Sequence, residues 1–261
     1  MFQIDETKCV NCSSCVRACP MGVLTRGTPA PVIHPDRRCI RCMHCAAACP
    51  RQAVCFDGLT MEAQYRPKPE DSLEALVQSR RSVRRFQDRL PDRALIQWAL
   101  DTAAWAPSGK NQHANRWTVL WGKEETQRVK RMALDFCAAA GEAPELLKLD
   151  AAGVDLLTCG APCLIVGWSP LDCLNPCLDT AVAMTTLELL LVSRGLSTCW
   201  GGYLRQVTDR CPALQAELGI PAGAKMQCSL MVGYAEGEKY PNIPYRPKAQ
   251  ANWVTADPSG D

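Results

Sequence analysis

From Leu73 onward the apolar residues fall into two rhythms. Ser72 can cap Leu73-Glu74-Ala75-Leu76-Val77, and Pro91 stands where a helix could start through Leu95, Trp98, Ala99 and Ala103. The same period predicts helices at 124–139, 146–158, 178–194 and 208–218. Between them the stretches 117–121, 163–168 and 226–232 read as strands. Helices and strands mix without strict alternation, which suggests α+β or an irregular α/β arrangement. The stretch 56–72 has no apolar period and carries Gly58, Pro67, Pro69 and four acidic residues, the pattern of a semi-rigid connector. The expected organisation is a module at 1–60, a linker at 61–72 and a domain at 73–261.

Composition narrows this picture. With 47% hydrophobic and 21% charged residues among 261, the chain can bury a core, which excludes intrinsic disorder. Its 29 basic and 27 acidic residues leave a formal charge of +2, too balanced to suggest a nucleic-acid or anionic-membrane partner. The chain opens Met1-Phe2-Gln3-Ile4-Asp5-Glu6 without a basic and then apolar leader, so a cytoplasmic location is expected. The most apolar stretch, 178–192, is interrupted by Asp179 and Glu188 and is shorter than the roughly 20 residues of a spanning helix. The 17 cysteines are an odd number, which argues against a disulfide scaffold and for thiols that stay reduced or hold metal.

Eight of those cysteines lie in two runs, Cys9-x2-Cys12-x2-Cys15-x3-Cys19-Pro20 and Cys39-x2-Cys42-x2-Cys45-x3-Cys49-Pro50, offset by 30 residues. This is the bacterial-type ligand run for 4Fe-4S clusters, in which the fourth cysteine of each run crosses to the other cluster. Each two-residue gap loops the backbone around a cube and turns successive sulfurs inward. One cluster should take Cys9, Cys12, Cys15 and Cys49, and the other Cys39, Cys42, Cys45 and Cys19. A pair of zinc knuckles is the alternative, but its ligand spacings differ. Residues 1–60 resemble two-cluster ferredoxins, which implies short strands at Ile4-Asp5 and Val32-Ile33 before each run and at Val23-Leu24 and Ala53-Val54 after it. His34 and His44 belong to this module.

Of the other nine cysteines, Cys159, Cys163, Cys173 and Cys177 could be four ligands of a third metal site. Against this, Cys163 opens an apolar run, where cysteine serves as a small hydrophobe. No GxGxxG, GxxxxGK(S/T) or HExxH sequence supports a dinucleotide fold, a P-loop or a zincin. Arg80-Arg81-Ser82-Val83-Arg84-Arg85 could bind a phosphate through charge-assisted hydrogen bonds, or could be a solvated basic helix end.

Four motifs in order decide between those readings: 80–91 (RRSVRRFQDRLP), 106–111 (APSGKN), 179–202 (DTAVAMTTLELLLVSRGLSTCWGG), and Gly233-Tyr234 followed by Tyr245-Arg246-Pro247. Over about residues 73–250 they resemble the nitroreductase family of FMN enzymes, and the whole chain resembles a ferredoxin-nitroreductase fusion. The resemblance implies an α+β fold in which two protomers interlock as a homodimer with FMN in the interface. It assigns Arg80, Arg81, Ser82 and Arg84 to the FMN phosphate and, through the last of them, to the ring edge, where positive charge stabilises the reduced flavin. Arg246 matches the C-terminal basic residue at the same phosphate. Pro107, Ser108, Gly109 and Asn111 match the segment lent to the partner's flavin, and Gly201 and Gly202 match the turn that approaches flavin N5. The chain departs from the family where His113-Ala114-Asn115 replaces a Gln-Pro-Trp and where Gly201 stands at an often acidic position. His113 invites a role as proton donor or as a polar interface residue. Trp200 adjoins the glycine turn.

The expected activity is transfer of electrons from a low-potential donor, ferredoxin or else NAD(P)H, through two 4Fe-4S clusters to FMN. A nitroaromatic, a quinone or an activated alkene would then be reduced by two electrons. The competing function is an electron-transfer or flavin-binding accessory subunit without a substrate of its own.

Overall fold

The computed structural model describes residues 2–40, 42–56, 59–60, 73–237, 240 and 242–254. They divide into two compact units, the first comprising Met1–Tyr65 with Tyr240–Asp261 and the second Arg66–Lys239. The expected linker at 61–72, including Ser72 as a cap, lies outside the described residues.

The first unit contains β1 (Phe2–Ile4), α1 (Ser14–Ala18), β2 (Leu24–Thr25), β3 (Val32–Ile33), α2 (His44–Ala48), β4 (Val54–Phe56) and β5 (Leu59–Thr60). All four short strands expected around the cysteine runs form, Val32–Ile33 as expected and the other three with bounds shifted by one or two residues. β1 pairs antiparallel with β4 through Ile4↔Val54, and β2 with β3 through Leu24↔Ile33. The connector expected from residue 56 begins later, because Leu59 and Thr60 pair back onto Phe56 and Cys55 as a hairpin. The 30-residue sequence repeat is also a structural repeat. Ser13 and Met43 precede the two helices with φ of 61° and 64°, and Cys19 and Cys49 end them with ψ of 107° and 110°.

The C-terminal boundary differs from the expected 73–261, since Tyr240–Asp261 group with the first unit. The cause is polar. The Asn242 amide donates to the carbonyls of Ala46 and Cys49 at 3.5 and 2.8 Å, and the Tyr240 ring meets His44 edge-on at 5.6 Å. The Asn242 amide thus adds a second donor to the Ala46 and Cys49 carbonyls, which already accept from the Cys49 and Gln52 N–H groups.

The second unit is α+β. It runs α3 (Leu73–Ser79), α4 (Arg93–Ala103), β6 (Arg116–Trp121), α5 (Lys123–Ala140), α6 (Pro144–Ala151), β7 (Cys163–Pro170), α7 (Pro176–Ser193), β8 (Ser197–Trp200), α8 (Gly202–Thr208), α9 (Pro212–Glu217) and β9 (Ala224–Gly233). Its antiparallel sheet has the order β6-β7-β9-β8. The central strand β7 opens with a continuous apolar run, whereas Lys225, Gln227 and Ser229 interrupt β9, and Ile165 and Leu230 are fully buried where the two pair. Helix α7 covers them with Met184, Leu187 and Leu191, and α4 adds Ile96, Ala99 and Ala103 to the same core. Helix α4 starts where Pro91 suggested, one residue after Asp92, whose side chain accepts from the Ala94 N–H at 2.8 Å. By length and composition α7 could cross a membrane. It packs on α4, β7 and β9, with its two acidic residues buried in polar contacts.

Two expected helices are shorter than the periodicity suggested. The one at 146–158 ends at Ala151 because Asp155 takes over the following backbone, accepting from the N–H groups of Leu157, Thr158 and Gly160 at 3.0, 2.9 and 3.1 Å. The one at 208–218 is split between α8 and α9. Pro212 opens α9, and the preceding Cys211 is extended, as a residue before proline prefers. Strand β8 was not anticipated from its four-residue sequence.

Candidate functional site

In the first unit the cysteines are placed by backbone geometry. The Cys19 and Cys49 sulfurs each accept the N–H four residues on, from Val23 and Ala53, both at 3.2 Å. Cys9, Cys12, Cys15 and Cys49 line one recess together with Ile4, Pro31 and Val54. Cys15 is pushed up to about 11 by burial and by the negative charge that Cys49, Cys9 and Cys12 would carry beside it. Burial likewise raises Cys45, reinforced by Cys42 and Cys19. Cys49 thus shares a recess with Cys9, Cys12 and Cys15, and Cys19 lies with Cys42 beside Cys45. Thiolates that repel one another in a low-dielectric pocket need a cationic core, so this donor set fits an iron-sulfur cluster.

In the second unit, the arginine segment leaves α3 and runs beside β8. Ser82 bridges Thr198 in parallel, and the Val83 N–H donates to Thr198 O at 2.9 Å. Alternation then buries Arg81 and Val83 and leaves Ser82 and Arg84 half-buried. The arginines have different partners. Arg80 reaches Glu188 at 3.3 Å, Arg81 folds back to donate to Gln78 O and Arg80 O, and Arg84 donates to Ser82 O at 3.3 Å. Arg84 also lines an open cavity with Cys159, Cys199, Trp200, Gly202 and Tyr203.

Glu188 organises this side of the cavity. Its carboxylate is buried in α7 and accepts from Thr198 Oγ1 at 2.9 Å and Trp200 Nε1 at 3.0 Å, besides Arg80. One buried anion thus fixes an arginine, the strand beside it and the indole facing the cavity. A buried carboxylate without such donors would be costly, and with them it becomes a rigid anchor.

The glycine turn separates into two roles. A Cβ at Gly201 would lie 2.4 Å from Ser229 Oγ, whose hydroxyl donates to Gly201 O at 3.1 Å. At Gly202 a Cβ would meet open space, and this residue borders the cavity.

The segment Pro107, Ser108, Gly109 and Asn111 is not in the wall of that cavity. It is held by Asp179, which accepts the Gly109 N–H at 3.0 Å, and by Ser108 Oγ, which accepts from the His113 N–H at 2.9 Å. Lys110, Asn111 and His113 have φ of 49°, 56° and 44°, and a Cβ at Gly109 would meet Asn175 Nδ2 at 2.5 Å. Pro107 and Asn111 are exposed, and the His113 ring touches Asn111 Oδ1 at 2.7 Å. Arg246 is exposed and belongs to the first unit.

Cys159, Cys163, Cys173 and Cys177 do not converge. Cys159 lies beside Cys199, Cys163 is fully buried within β7, and Cys173 points to Pro170 O at 3.1 Å. Among the described residues no group of three or more His, Cys, Asp or Glu is arranged to hold a single metal ion. Sequence reasoning did not single out Glu188, Asp179 or the Cys159–Cys199 pair. For the two acids a signal existed, because each interrupts an otherwise apolar helix.

The nitroreductase family model matches residues 77–234, and the model of the 4Fe-4S dicluster domain matches residues 8–54. Comparison with curated proteins gives no match. Among solved structures, a nitroreductase with bound FMN from Desulfitobacterium hafniense DCB-2 is 26% identical, with a TM-score of 0.59 over 72% of this chain and 99% of that one. A nitroreductase with bound FMN from Bacteroides fragilis NCTC 9343 is 20% identical, with a TM-score of 0.57 over 71% and 97%. An FMN and NADPH-dependent nitroreductase from sphigopyxis sp. strain HMH is 23% identical, with a TM-score of 0.55 over 70% and 99%. At these identities the last two speak for the fold.

Proposed function

Because the chain belongs to the nitroreductase family and carries a 4Fe-4S dicluster domain ahead of it, we propose that it is a cytoplasmic, homodimeric oxidoreductase that takes single electrons from reduced ferredoxin and reduces an organic acceptor by two. Nitroaromatics, quinones and activated alkenes are the acceptor classes. When bound, the clusters supply one-electron steps and FMN joins two of them into one hydride equivalent. Cys9, Cys12, Cys15 and Cys49 hold one cluster, and Cys39, Cys42, Cys45 and Cys19 the other.

Arg84 places positive charge on the cavity where the ring edge gains negative charge, while Arg80, Arg81, Ser82 and Arg246 serve the phosphate. Gly201 and Gly202 form the turn beside the ring. Pro107, Ser108, Gly109 and Asn111 reach the partner's site. The observation that carries this reading is the joining, in one chain, of a crossed cysteine octet to an arginine-lined cavity in a fold whose solved relative holds FMN.

Purified dimer kept under argon with reduced ferredoxin as sole donor and a panel of the three acceptor classes tests it. Acceptor-dependent turnover is expected without nicotinamide. Loaded protein that oxidises ferredoxin with none of the panel would favour the accessory role.

A further inference from the structure

Cys159 and Cys199 come from separate elements and meet in the cavity wall. Cys199 sits in β8, its backbone paired with Met231 of β9. Cys159 sits at φ 51° in the loop after α6, beside Gly160 at φ 67°. That loop is fixed by Asp155, whose carboxylate accepts from Leu157, Thr158 and Gly160 backbone N–H groups and from Thr158 Oγ1 at 2.6 Å. Both residues line the cavity that Arg84 borders, and Cys199 is itself buried with its Sγ 3.8 Å from Trp200 O. Neither belongs to the cluster octet.

From this juxtaposition we propose that Cys159 and Cys199 are a redox-active dithiol that closes to a disulfide by exchange with a low-molecular-weight disulfide such as oxidised glutathione. The two thiols are chemically unequal, as exchange requires. The hydrogen bond from the Cys159 S–H, helped by the charge of Arg84 and Arg80, brings Cys199 down to about 7 against burial and the nearby Glu188. The same bond, with burial and the charges of Cys199 and Asp155, drives Cys159 upward. Cys199 is thus the attacking thiolate and Cys159 the resolving thiol.

The electrons balance within the exchange. The Cys199 thiolate attacks one sulfur of the glutathione disulfide, forming a mixed disulfide and expelling one glutathione thiolate. That thiolate takes the Cys159 proton, and the Cys159 sulfur attacks Cys199 and expels the second glutathione thiolate. Two protein thiols are oxidised and one glutathione disulfide is reduced to two glutathione molecules. The new bond ties the 155–160 loop to β8 and removes the anion that faces Arg84. This step uses only side chains of this chain, but its cavity is the one that the proposed function gives to the flavin ring edge, so the exchange is followed both in flavin-loaded and in flavin-stripped protein.

The test is to equilibrate the full-length holoprotein and its flavin-stripped form under argon across ratios of oxidised to reduced glutathione, block free thiols with N-ethylmaleimide, and map the peptides by mass. Iron and flavin content are measured on the same samples. The expected product is a Cys159–Cys199 cross-linked peptide that becomes the major form as the ratio rises. Cys163, pushed up to about 12 by burial, should stay unlinked. Cys159→Ser should trap glutathione on Cys199, and Cys199→Ser should leave Cys159 unmodified. The proposal is overturned if both cysteines stay unlinked at the most oxidising ratio in both forms, or if Cys159 of the Cys199→Ser protein still takes up glutathione. Thermal unfolding of both variants, expected within a few degrees of the parent, keeps a folding defect from being read as an answer.

Discussion

The two units hold their functional side chains in opposite ways. In the first, the Cys19 and Cys49 sulfurs are set by their neighbours in sequence: a left-handed residue before each helix, an extended cysteine after it, and an N–H to sulfur bond four residues on, repeated at an interval of 30. In the second, Arg80, Thr198 and Trp200 are brought together by one carboxylate that is 108 residues from Arg80 in the chain. A site built from local repeats can be lost ligand by ligand without disturbing the rest. A site built around a buried anion depends on the packing of the whole unit. Damage should therefore remain within the unit where it is made, and the following substitutions try to break that separation.

The largest effect is expected from Cys12→Ala. It removes one of four thiols from the recess and should lower iron from about eight to about four atoms per chain, while flavin content stays unchanged. Metal analysis and flavin release on the same anaerobic sample measure both. Parallel loss of flavin would mean that the units are not independent. Next is Arg84→Ala, which removes a charge from the cavity wall. Losing a charge-assisted hydrogen bond of about 1.5–3 kcal/mol should weaken FMN binding by roughly tenfold to a hundredfold, with iron content unchanged, as equilibrium dialysis would show.

Gly201→Ala should cost about 1–3 kcal/mol of stability, because the new methyl must displace Ser229 Oγ from a distance of 2.4 Å. Denaturant unfolding followed by tryptophan fluorescence would register it, and the Ser229→Ala background should relieve part of the loss. The smallest effect belongs to Asn242→Ala. Although this residue lies beyond the family match, it bonds Ala46 O and Cys49 O, so its loss should cost about 1 kcal/mol in the first unit only. Faster bleaching of the iron chromophore on warming, at unchanged flavin affinity, is the expected pattern.

The same contrast explains what the sequence disclosed. The cysteine octet was legible residue by residue because its spacing is regular, and Cys15 has Cys9, Cys12 and Cys49 beside it while Cys45 has Cys42 and Cys19. Strands β6, β7 and β9 were legible because each is rich in apolar residues, continuously so in β7 and broken by Gln227 and Ser229 in β9. Helix ends were not: the Asp155 loop and the Cys211–Pro212 break arise from side-chain competition and proline sterics, which an apolar period does not register. Glu188 and Asp179 showed only as interruptions of an apolar helix, since the donors they serve are distant in sequence. Among the contacts that group Tyr240–Asp261 with the first unit are the Asn242 side chain and backbone N–H on the Ala46, Ala47 and Cys49 carbonyls and the Tyr240 ring on His44, none of which a periodicity marks.

The central claim, that electrons reach the flavin through the clusters, is tested most directly by rapid mixing under argon. Reduced ferredoxin would be mixed with the FMN-loaded wild type and with the FMN-loaded Cys12→Ala protein, following flavin absorbance. Bleaching in the wild type is predicted, with none from ferredoxin in the variant, whereas a small chemical reductant should bleach both. Equal bleaching of both proteins by ferredoxin would contradict the account and leave the clusters outside the path to flavin.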